Sequence, residues 1–162
     1  ASTVTNNAMG HIMNDRVKAH RQRLRDVGFV PMEVWVPAGD KELVKKFAAN
    51  LQEKGRQAAV DRLLDVLNRV HVRVPYSVVG EWLGVPAIDV ARRYLTDPCP
   101  RESWIVSKTN QLPSQYHESQ IHEELLGSDV VKSREELVAL LETAEATAAE
   151  PEGPAVMDCG IF

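Results

Sequence analysis

The chain has only two cysteines, Cys99 and Cys159, far apart and outside any histidine cluster, so neither a disulfide framework nor a metal site of the usual spacing is expected. This points to a reducing compartment. No run approaches the roughly 18 apolar residues of a membrane span, and no charged start followed by an apolar stretch marks a secretory signal. A cytoplasmic protein without a membrane partner is therefore expected. A glycine-rich phosphate loop, HExxH, GxSxG and a dinucleotide fingerprint are also missing, which leaves an enzyme the least supported class. Cys99 or Ser103 would act as a nucleophile only with a histidine folded beside it. No cofactor is expected. His117 and His122 are five apart and off a common helix face, and with no third ligand near them no metal is expected either.

What is present is enough apolar sequence, 44% of 162 residues, to bury a core, and a charge distribution split along the chain. Residues 1–108 carry 17 Lys+Arg against 12 Asp+Glu, whereas residues 109–162 carry 2 against 11. A basic front and an acidic back suit a protein that meets phosphates with one part and offers the other to solvent or to a basic partner.

The stretch YSVVGEWLGVPAIDVARRYL, Tyr76 to Leu95, reads as two short helices around a turn at Leu83-Gly84-Val85. Gly84 fills the left-handed position that ends a helix, Pro86 starts the next helix without a lost donor, and Gly80 allows the two helices to approach closely. This resembles a helix-turn-helix. In that reading the helix from Ala87 to Leu95 enters DNA, with Ala87, Ile88, Asp89, Arg92 and Arg93 as base contacts. The alternative is a helical hairpin that only packs a core. Trp82 is expected to be a core anchor.

Residues 1–13 read as an unstructured lead-in or tag remnant. A basic helix follows from Asn14, its cap, to Val27, stopped by Gly28. Its Arg16, Lys18, Arg21, Arg23 and Arg25 can hold phosphates or simply face solvent. In FVPMEVWVP, Phe29 to Pro37, residues Met32, Val34 and Val36 alternate with polar or outward positions between prolines. The pattern predicts a short edge strand, or one paired with its own copy in a dimer. A helix from Asp40 to Lys54 is expected to stop at Gly55, and strand then helix opens a ribbon-helix-helix.

The run RVKAHRQRLRDVGFVPMEVWVP, Arg16 to Pro37, resembles the MazE-like antitoxins, which share a basic helix, a glycine and a strand ending in WVP. The resemblance extends to Lys54 and implies a homodimeric DNA-binding repressor or antitoxin with paired strands at or near double-stranded DNA. The helix-turn-helix and the acidic region lie outside it. Glu33 and Trp35 would point outward from such a ribbon and are not typical base readers, so the strand is read as dimer-forming first.

Gln57 to Val70 predicts an amphipathic helix, His71 to Pro75 an extended link with His71 at the surface or capping, and Trp104 to Val106 a strand or flap. YHESQIHEELLG, Tyr116 to Gly127, reads as a helix, and Ser133 with Glu136 as a capping box opening a helix to Glu150. Pro151 to Phe162 reads as a disordered tail whose Ile161-Phe162 could dock.

The expected architecture is mainly α. It comprises a small helical DNA-binding domain with a helix-turn-helix and one or two short strands, dimeric, in units 14–55, 56–108 and 109–150. The expected function is a sequence-specific repressor. The alternative is an antitoxin or mobile-element inhibitor that binds a basic toxin-type partner through its acidic C-terminal part.

Overall fold

The computed structural model describes residues 6–148, with side chains described from Asp15 onward. Among them it is mainly α, with α1 (Asn6–Asp26), α2 (Lys41–Val70), α3 (Tyr76–Leu83), α4 (Ala87–Asp89) and α5 (Arg134–Ala148). Two strands of two residues each, β1 (Val74–Pro75) and β2 (Ile105–Val106), pair in parallel with Val74 opposite Ile105. Arg73 extends this seam by a single bridge to Val130.

The core forms where the C-terminal half of α2 meets α3 and α5. Ala59, Val60, Leu63, Leu64, Val66 and Leu67 line the buried side of α2, while Val79, Trp82 and Leu83 come from α3 and Leu137, Leu141 and Ala144 from α5. Trp82, expected as an anchor, is fully buried, and so is Trp104 beside the strand seam. The same cluster runs from Val27 to Ala144, so the acidic helix α5 is part of the core.

Several expectations are corrected. The first helix begins at Asn6 rather than at a cap on Asn14, and so takes in much of the stretch read as lead-in. Residues 31–37 form no strand in the single chain, because no ladder partner lies beside them and the prolines withdraw two donors. The helix over 40–54 does not stop at Gly55 but continues as the 30-residue α2. A Cβ on Gly55 would lie 2.7 Å from Cζ of Phe29, so that glycine is a notch for an aromatic ring rather than a terminator. Tyr116 to Gly127 is not a helix but two single 3-10 turns, Glu118–Gln120 and Leu125–Gly127. Ser133 does accept the Glu136 amide, but the Glu136 carboxylate accepts the Lys132 amide instead of that of Ser133, so the capping box is only half formed. The tail from Pro151 lies outside the described residues.

Candidate functional site

The turn at Gly84 forms as its residues dictate. Gly84 has φ 72°, its amide closes α3 on the carbonyl of Gly80, and the Val85 amide reaches the same oxygen at 2.9 Å. Gly80 is the contact point: a Cβ there would stand 2.6 Å from the Val85 carbonyl oxygen and 3.1 Å from the Ala87 nitrogen. Pro86 sits one position earlier than expected, as the extended residue before α4.

The element after the turn is short. Three α-helical residues, Ala87–Asp89, pass into a π-helical turn over Val90–Tyr94 that buries Val90 and Tyr94. Ile88 and Arg92 are exposed, with Ala87 and Asp89 half-buried. Arg93 is tied down, 3.2 Å from a carboxylate oxygen of Glu53 on α2 and 3.9 Å from Asp89. Arg92 lies on the wall of a cavity between this element and the loop from Ser107 to Tyr116. The two arginines expected to work side by side thus have different surroundings.

The basic side chains of α1 are freer. Arg16, Lys18, Arg21, Arg23 and Arg25 are all exposed, and none makes an ion pair among the described residues. The end of α1 is fixed by buried Val27, by the left-handed turn at Gly28 (φ 93°), and by the half-buried pair of Asp26 with Arg134 at the start of α5. Helical spacing puts Lys18, Arg21 and Arg25 on one side of α1 and Arg16 and Arg23 on the other, so the exposed cations surround the helix rather than line one face.

Beyond Phe29 the chain turns outward. Val30 is 85% exposed, Met32 84% and Trp35 93%, and Val34 is exposed while Val36 is half-buried. Leu43, Phe47 and Leu51, spaced four apart on α2, are exposed as well. Four-residue spacing keeps them on one face. Over Lys41–Lys54 no residue of α2 is buried, whereas its C-terminal half supplies six core residues. Periodicity puts these residues on one face but does not report whether the chain itself covers that face.

Two histidines and Ser103 gather around Trp104, with the His71 and His122 ring centroids 5.1 Å apart. Ser103 is fully buried, donating its hydroxyl to the Pro100 carbonyl at 2.7 Å and accepting the His122 amide at 3.0 Å. His71 caps α2 in the left-handed region, stacks on Trp104 with ring centroids 5.3 Å apart, and pairs with Glu124. His122 lies against the same indole. Among the described residues no group of three or more His, Cys, Asp or Glu is placed to hold a metal ion, and no helix is long and apolar enough to cross a membrane.

Sequence reasoning did not find the cluster around Glu102. This carboxylate is 8% exposed and accepts the Tyr116 hydroxyl, and burial pushes its pKa above the ordinary carboxylate range. Its two partners lie 14 residues apart across an irregular loop, so no periodic signal joins them.

No curated protein and no solved structure matches the chain. Residues 14–68, which hold α1 from Asn14, the exposed strap and all but the last two residues of α2, match the model of the family described as Antitoxin MazE-like and are, over that third of the chain, similar to those antitoxins.

Proposed function

We propose that this protein is an antitoxin-type regulator. Two copies join through the strap at Met32, Val34 and Val36 and the Leu43–Phe47–Leu51 face of α2. The arginines of α1 hold duplex DNA, and the acidic C-terminal part engages a basic toxin-type protein. The carrying observation is the uncovered apolar surface inside the segment that matches the antitoxin family. Apolar side chains uncovered together on a half-helix with no buried residue suit a protein interface better than a solvated face. At about 1.5 Å per residue α2 spans about 45 Å, more than the diameter of a small domain, so its first half extends past the core that its second half builds.

The repressor reading that relies on α4 has less support. Its helix is three residues long before the π turn, and Arg93 is held by Glu53. DNA contact is accordingly assigned first to Arg16, Lys18, Arg21, Arg23 and Arg25, with Ala87, Ile88, Asp89 and Arg92 secondary.

Co-expression with the product of the adjoining reading frame tests the assignment. The expected result is a stable complex that survives purification and binds DNA from upstream of its own gene in a salt-titrated mobility shift. Absence of both the complex and the shift at low salt would contradict it.

A further inference from the structure

The cavity beside α4 has the composition of a binding site for a small anion. It measures about 550 Å3 and opens to solvent between α3, α4 and the loop from Ser107 to Tyr116. Arg92 and Lys108 stand on its wall, neither in an ion pair among the described residues, and no carboxylate lines it. Tyr76 supplies a further donor: its oxygen accepts the Ser114 amide at 3.1 Å, which leaves the phenolic proton free to be given to a ligand. Ile88 and Leu95 provide apolar wall in the same cavity. The phenol of Tyr116 is turned to another use, donating to buried Glu102 and so keeping that carboxylate behind the wall.

Two uncompensated cations facing one cavity repel each other, and an anion placed between them removes that cost while gaining charge-assisted hydrogen bonds. Arginine suits a phosphate's paired oxygens, lysine adds a point charge, and the apolar wall accepts a flat or aliphatic body. A free inorganic anion would leave Ile88 and Leu95 unused.

We infer that this cavity binds an organic phosphate, its phosphoryl group held by Arg92, Lys108 and the Tyr76 hydroxyl and its body lying on Ile88 and Leu95. The site is distinct from the apolar strap and from the arginines of α1. A ligand there would touch both α4 and the 107–116 loop.

Isothermal titration of the full chain with adenosine monophosphate, adenosine and inorganic phosphate tests this. Saturable binding of the monophosphate is expected, at least tenfold tighter than either half-ligand. Arg92→Gln and Lys108→Gln should each weaken it tenfold or more, while Lys46→Gln on the exposed part of α2 leaves it unchanged. Thermal unfolding of the variants without ligand checks that they fold, and Arg92→Lys, which keeps the charge but loses the fork, should retain part of the affinity. No heat and no thermal shift with any organic phosphate up to millimolar concentration would overturn the inference. Equal binding by wild type and the Arg92→Gln, Lys108→Gln double variant would overturn it too.

Discussion

Two glycines on this chain do opposite work, and each predicts a different outcome for the same substitution. At Gly80 an added methyl meets backbone, the Val85 carbonyl oxygen at 2.6 Å, which cannot move without opening the turn. Gly80→Ala should cost about 1–3 kcal/mol in denaturant unfolding. At Gly55 the methyl meets the tip of the Phe29 ring, which can swing away, and mid-helix alanine gains up to about 1 kcal/mol in propensity. Gly55→Ala should therefore change stability little. Equal losses at both positions would refute this distinction. Glu102 supplies a third case. Its buried carboxyl holds its proton more tightly in the folded chain, so it contributes stability below the ordinary carboxylate value, and this is lost as pH rises through the raised value. Glu102→Gln should be more stable relative to wild type at about pH 8 than at about pH 4. Unfolding free energies measured at the two pH values decide it, and an unchanged difference would contradict the burial argument.

At the level of elements, the basic helix and the apolar strap carry separable tasks. Removing Arg21 or Arg23 should weaken binding to all DNA sequences alike and lower the slope of log affinity against log salt by about 1 per residue. A sequence-selective loss would instead move base reading onto α1. What the sequence made legible follows from locality. The Gly84 turn, the buried face of α2 from Ala59 to Leu67 and the start of α5 depend on residues within one or two turns of each other, and all are found where their patterns predict. The misreadings depend on distant partners. Gly55 looked like a helix stop because its reason, the ring of Phe29, sits 26 positions away. Residues 31–37 have strand alternation but lack a strand to pair with. The histidine turns at 117–122 were read as helix because hydrophobic spacing cannot report that Ser103 takes the His122 amide.

For the whole molecule, charge and apolar surface divide the chain into a front that contacts others and a body that folds on itself. The front holds the exposed cations of α1, none in an ion pair among the described residues, and the uncovered residues Val30 to Leu51; the body holds the core from Ala59 to Ala144, joined by Val27 at the end of α1, with Arg73 stitching β1 to the 128–131 segment. This division explains how one 30-residue helix can be fully amphipathic at its C-terminal end and leave its N-terminal apolar residues in water. Association through that exposed half is what the antitoxin-type assignment requires. Light scattering on the intact chain at tens of micromolar measures it most directly. The account predicts a mass twice 18.1 kDa for the wild type, falling to the single-chain value in Met32→Asp and Phe47→Asp with their unfolding temperatures as monomers preserved. A wild-type mass of 18.1 kDa at every concentration, or dimers undisturbed by both substitutions, would contradict it.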